Sequence, residues 1–164
     1  MPFNVKGFTR KFAFVMFAMA VAMPAAQADD DEGERHRPAV SNTKWKEDCG
    51  ACHLAYPPRM LPAESWRAIM SGLDKHFGSN AGLDAAIASE ITDFLEKNAG
   101  TKKHEASGKP LLRITDTRSF KSEHREIAAR VWKNPKVKSP ANCGACHTRA
   151  ESGDYNEDNV KIPR

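Results

Sequence analysis

The sequence predicts a mainly α-helical protein made of two small units, each gathered around one copy of the same pentapeptide. Three observations carry this. Cys49-Gly50-Ala51-Cys52-His53 recurs as Cys143-Gly144-Ala145-Cys146-His147. The apolar residues between the copies recur at three- and four-residue steps, the spacing of one helix face, and no stretch gives a sheet signal. The chain outside an N-terminal leader is too short for a sizeable core, with 136 residues or 68 per pentapeptide.

The pentapeptide has a chemical reading. Two cysteines three apart lie on one turn of backbone, where each thiol can add across one of the two vinyl groups of a single haem. The histidine that follows then lies under the porphyrin with its imidazole aimed at the iron. Two haem c groups are therefore expected, held through thioethers by Cys49 and Cys52 and by Cys143 and Cys146, with His53 and His147 as proximal ligands. The two motifs use all four cysteines of the chain. One zinc shared by both Cys pairs, or two short disulfides, would leave both trailing histidines unexplained, and zinc ribbons place their pairs closer together. A covalent porphyrin also serves as the staple that units this small need.

Lys6, Arg10 and Lys11 precede an apolar run from Phe12 to Met23, and Ala26-Gln27-Ala28 is a small-x-small cleavage site. Residues 1–28 thus read as a secretory signal peptide. The apolar run is short of the roughly 20 residues that a spanning helix needs. The mature chain is expected in the periplasm, not spanning the membrane, and export agrees with haem c attachment. The formal charge of +4 changes on cleavage: three of the 25 basic residues leave and all 21 acids stay, for a net +1. Four ionised propionates would take this to about −3, which excludes a nucleic-acid-binding role resting on net positive charge.

Asp29 to Pro38, including His36, reads as a mobile arm. Ser41 or Asn42 can cap a short helix through Trp45 into the first motif. Tyr56-Pro57-Pro58 forces a turn. Pro62 suits the first turn of a helix whose face is Trp66, Ile69, Met70, Leu73, His76 and Phe77, with Gly78 as its C-cap. Leu83, Ile87, Ile91, Phe94 and Leu95 form a second amphipathic face, capped at Asp84 or a neighbour, closed at Gly100 and expected to pack across the helix entering the first motif. Thr101 to Pro110, with His104, is a linker that divides domains 29–100 and 101–164. A third long helix is expected from Asp116, with Phe120, His124, Ile127, Ala128 and Val131 on one face and Trp132 closing it before Pro135. Ser139-Pro140 leads into the second motif.

The sixth ligand decides what a haem does. Methionine raises the potential, a second histidine generally lowers it, and an open site binds gas or substrate. A lone histidine on an apolar face is usually a packed core residue, but here each iron lacks a second ligand. After cleavage only Met60 and Met70 remain, both near the first motif, which leaves His124 as the best donor to the second iron. For the first iron His76 competes with Met60 and Met70. Met60 lies only seven residues past His53, and Met70 shares a helix face with His76 and can pack there, so His76 is preferred. His76 lies 23 residues after His53 and His124 lies 23 residues before His147, so the halves use opposite orders of ligand and are not a simple tandem duplication.

Together these residues resemble a known family, the small periplasmic dihaem cytochromes c called DHC. The first matching stretches are Cys49-Gly50-Ala51-Cys52-His53 with Tyr56-Pro57 and Leu61-Pro62, then Trp66 and His76-Phe77-Gly78. Later ones are His124 with Glu126-Ile127, Pro140-Ala141-Asn142 before the second motif, Gly153-Asp154-Tyr155 and Asn159-Val160. The resemblance implies bis-histidine ligation at both irons. It also implies a first domain similar to a class I cytochrome c and a second, less regular one. The implied role is electron transfer from a membrane cytochrome or quinol-linked donor to a soluble acceptor such as an oxygen-binding monohaem cytochrome. A small dihaem peroxidase or reductase with one open haem is the rival reading, and a ligand-binding sensor a third. Composition alone makes Ala150 to Arg164 a disordered tail. The resemblance, with the alternating Val160-Lys161-Ile162, predicts instead a segment folded back over the second haem or between the domains.

Overall fold

The computed structural model describes residues 40–101 and 109–164. The expected signal peptide, the arm with His36, and His104 lie outside the described residues. Among the described residues the secondary structure is helical, with no strand beyond two isolated bridges. None of their helices is long and apolar enough to cross a membrane.

The first helix, α1, spans Thr43–Gly50. Its N-cap is Asn42, whose Oδ1 accepts from the Trp45 backbone N–H at 2.9 Å, satisfying one of the free donors of the first turn. Trp45 is buried and the helix runs straight into Cys49. After the motif the chain turns at Pro57-Pro58, and the buried Trp66 Nε1 donates to the Pro58 carbonyl at 2.6 Å. That bond ties the loop to α2, Ala63–Met70.

The structure corrects the expected extent of α2. The helix stops at Met70, not at Gly78. Ser71 and Gly72 donate to the carbonyls of Arg67 and Ile69, tightening the last turn. A short 3-10 turn, Leu73–Lys75, follows. Glycine is a poor interior helix residue, and Gly72 was the overlooked signal.

Helix α3, Ala85–Lys97, forms as its period predicts, with Asp84 Oδ1 accepting from the Ala86 N–H at 2.9 Å. It packs chiefly on α2 as well as on α1. Trp45, Leu61, Trp66, Ile91 and Leu95 are the buried centre, with Phe94 and Ile69 against them. Gly100 passes so close to the loop that a Cβ there would collide with the Arg59 carbonyl oxygen. Its N–H donates to the Leu61 carbonyl at 2.9 Å. Beyond the linker, Ile114 returns to pack on the same core.

The third long helix is also corrected. Helix α4 covers Arg118–Glu123, capped by Thr117 Oγ1 accepting from the Phe120 N–H at 3.1 Å. The chain then turns through residues 124–128, and α5 is a single turn, Ala129–Trp132. No glycine or proline marks the break. At the break His124 directs both its backbone N–H and its ring Nδ1 to the Phe120 carbonyl.

The last fifteen residues are ordered. Asp154 organises them: its Oδ1 accepts from the Asn156 N–H and its Oδ2 from Asn159 Nδ2, both at 2.9 Å. Arg149 Nε lies 3.3 Å from Oδ2. The strand-like return pairs Val160 with His147, and the Lys161 N–H donates to the Cys146 carbonyl at 2.8 Å. Ile162 stays exposed.

Candidate haem-binding sites

The two pentapeptides take different backbones. The first ends α1, with Ala51 as its helical C-cap. The second is a 3-10 turn, Cys143–Ala145, in which the His147 N–H donates to the Cys143 carbonyl at 2.8 Å. In both, cysteines and histidine occupy one to two turns, as shared attachment to one ring requires.

His76 is delivered by a tight turn rather than by a helix. Ser79 N–H donates to the His76 carbonyl at 3.0 Å, and the two central residues have positive φ, 50° at Phe77 and 98° at Gly78. That is the signature of a primed turn, which glycine adopts freely and an aromatic residue does not. The turn faces His76 toward His53, with ring centroids 6.1 Å apart and planes 22° apart. His124, at the C-terminus of α4, lies against His147 with centroids also 6.1 Å apart, here with planes 68° apart. Two metal–imidazole bonds of about 2.0 Å end to end, plus the half-widths of two rings, separate centroids by about 6 Å. Both separations match that spacing.

The hydrogen bonds fit the same role. His53 Nδ1 donates to the Leu54 carbonyl and His124 Nδ1 to the Phe120 carbonyl, each at 2.8 Å. A carbonyl can only accept, so Nδ1 is the donor in both rings and Nε2 is the nitrogen left for iron. Burial, and then the neighbouring His53, lowers the pKa of His76; burial, and then His124, lowers that of His147. Both effects favour the neutral form that coordinates metal. His147 Nδ1 and the Tyr155 hydroxyl, on rings 5.3 Å apart, are buried without a hydrogen-bond partner among the described residues. Burial also pushes the Cys49 thiol up to about 11, and raises Cys143 and Cys146. These are not the activated thiolates of a cysteine enzyme.

A cavity of about 600 Å³ opens beside the first motif, within the usual range for a cofactor site. Cys49, Cys52, His53, His76 and Met70 line it; Met60 does not. Its far wall is Phe120, Ala141 and Cys143 from the second half, so the second motif abuts the first site. Sequence reasoning missed the residues that join the halves. Tyr56 stacks on His53 at 5.0 Å and donates its hydroxyl to the Ala141 carbonyl at 2.7 Å. Arg59 donates to the Gly153 carbonyl at 2.8 Å, with its guanidinium 6.0 Å from the Tyr155 ring centre. A tyrosine and an arginine bracketing two prolines gave no local sign of this.

The sequence model of the dihaem cytochrome c family, DHC, matches residues 45–155. The chain belongs to the dihaem cytochrome c family. Its members carry two haem c groups, in agreement with the two motifs. Solved structures of similar proteins agree. The diheme cytochrome c from Rhodobacter sphaeroides is 37% identical, with a TM-score of 0.65 over 71% of this chain and 98% of that one. DHC purified from Rhodobacter sphaeroides is 42% identical, with a TM-score of 0.62 over 70% and 97%. The new diheme cytochrome type c from Shewanella baltica OS155 is 40% identical, with a TM-score of 0.66 over 74% and 93%. No curated protein sequence matches the chain.

Proposed function

We propose that this dihaem cytochrome c is a periplasmic electron-transfer protein with two low-spin, bis-histidine haems. Cys49 and Cys52 hold the first haem and His53 and His76 its iron; Cys143 and Cys146 hold the second and His147 and His124 its iron. The observation that supports this most is the 6.1 Å separation of both histidine pairs. When bound, the haem irons supply a one-electron couple. The chain's own part is to hold four imidazoles in place, so that a change of oxidation state needs little movement and leaves no open coordination position for a substrate.

Domains 29–100 and 101–164 would each carry one haem, exported behind a signal at 1–28. The donor is a membrane cytochrome or quinol-linked protein and the acceptor a soluble haem protein, such as an oxygen-binding monohaem cytochrome. The test is spin state. Absorbance and electron paramagnetic resonance of the haem-loaded protein should show low-spin iron only, and the reduced protein should not bind carbon monoxide rapidly. A high-spin signal, or turnover of peroxide or nitrite, would replace this reading with the dihaem enzyme.

A further inference from the structure

The near-neutral sum of charges hides an uneven distribution. Residues 40–101 carry six Lys and Arg against eight Asp and Glu, whereas residues 118–138 carry seven against two. All seven cations are exposed. Arg118 and Lys121 are three apart on α4, and Arg130 and Lys133 are three apart on and just after α5, so each pair shares a side of its turn. Arg125 lies in the turn next to His124, and the remaining two, Lys136 and Lys138, follow α5. The two acids in the stretch are Glu123 and Glu126. Arg125 and Glu126 approach to 3.7 Å with both side chains mostly in solvent, a weak pair. Even with both acids neutralising a cation, five positive charges stay in excess, and two haem propionates would take up at most two of them.

This stretch supplies His124, whose ring lies 5.9 Å from that of Trp132. The positive excess therefore lies on the His124 side of the second haem site, since residues 139–164 on the His147 side carry three Lys and Arg against four Asp and Glu, while the half holding the first site is slightly acidic. Charges of one sign this close act together, because the screening length is about 8–10 Å at ordinary ionic strength. The face is polar as well as basic. Of the exposed large hydrophobic residues, Val40, Phe77 and Leu112 lie outside the stretch and Ile162 borders it, next to Pro163, whose carbonyl accepts from Asn134 Nδ2 at 3.3 Å; one apolar side chain is fewer than a membrane-inserting surface uses. Its rings, Phe120 and Trp132, pack around His124 at 4.1 and 5.9 Å and are not offered for base stacking. A charged, wet, weakly apolar face suits a transient protein encounter.

We propose that residues 118–138 form the docking face for an acidic redox protein, so that electrons cross at the second haem site. This rests on the electron-carrier reading. The test is stopped-flow oxidation of the reduced, haem-loaded protein by two protein probes, acidic plastocyanin and basic mitochondrial cytochrome c. One electron passes from ferrous haem to copper or to ferric iron. Plastocyanin should react tenfold or more faster at low than at high ionic strength, and cytochrome c should lack that dependence. Lys121→Glu with Lys133→Glu should abolish the plastocyanin effect while leaving both midpoint potentials and the low-spin spectrum unchanged. An unchanged salt dependence in that variant overturns the docking face. So does a shift in the second haem's potential with plastocyanin unaffected, since the cations would then serve the propionates. Salt-sensitive binding of the protein to phosphatidylglycerol vesicles, lost in the variant, would reassign the face to a membrane surface. If neither probe oxidises the protein, the electron-carrier reading itself fails.

Discussion

The loop after the first motif is the joint between the halves, and breaking it should loosen the whole protein. Tyr56→Phe removes one hydroxyl, the donor to the Ala141 carbonyl at 2.7 Å, and leaves the ring stacked on His53. A neutral hydrogen bond contributes about 0.5–1.5 kcal/mol net, and the low half applies here because water can reach the orphaned carbonyl. Arg59→Gln removes a charged hydrogen bond, about 1.5–3 kcal/mol, together with a cation–π contact of about 0.5–1 kcal/mol. For a chain of this size each kcal/mol moves Tm by about 2–4 °C. Tyr56→Phe should then lower Tm by about 2–3 °C and Arg59→Gln by two to three times as much, by circular dichroism of the haem-loaded protein. Burial pushes the Tyr56 phenol up to about 12, with a smaller push from Cys143, so it stays a donor and the Tyr56→Phe effect should not vary between pH 6 and 9. Haem absorbance should be unaltered in Tyr56→Phe, because the ring remains. If the double variant unfolds at the wild-type temperature, these contacts do not couple the halves and the reasoning fails.

Four further outcomes are expected. His76→Ala and His124→Ala should each open one haem without releasing it, so haem stain persists on a denaturing gel while that iron turns high-spin or recruits water; a wholly low-spin His76→Ala spectrum with a thioether-to-iron band would hand the ligand role to Met60 or Met70. Gly78→Ala meets no atom within 4 Å of its Cβ but keeps φ at 98°, so its cost of about 1 kcal/mol is backbone strain, visible as a changed first-haem spectrum rather than as aggregation. Deleting residues 153–164 removes Tyr155 from His147 and the Lys161–Cys146 bond, and should lower Tm and shift the second potential; unchanged values would make the tail dispensable. Electron paramagnetic resonance should resolve two low-spin species, since imidazole planes 22° apart split the iron d orbitals along one direction more than planes 68° apart do; a single species would count against these ring orientations.

What the sequence by itself determined is the chemistry that is local. Attachment of a haem by Cys-x-x-Cys-His needs only one or two turns of backbone, so both motifs were legible without any fold. Helix α3 was legible for a similar reason: its period of burial and its Asp84 cap lie within one continuous segment. Phe120, His124 and Trp132 were correctly grouped, yet by the wrong device, because side chains brought together by a turn can imitate a helix face. The end of α2 was half legible, since Gly72 marks it locally, but the positive φ at Phe77, which turns the chain at His76, has no sign in an aromatic residue. Composition by itself could not show the order of the tail, which only the family resemblance suggested, because its few apolar residues gain partners only when the second motif offers its backbone. The union of the halves through Tyr56–Ala141 and Arg59–Gly153 joins residues 85 and 94 apart in the chain, and such pairings have no local period from which to read them.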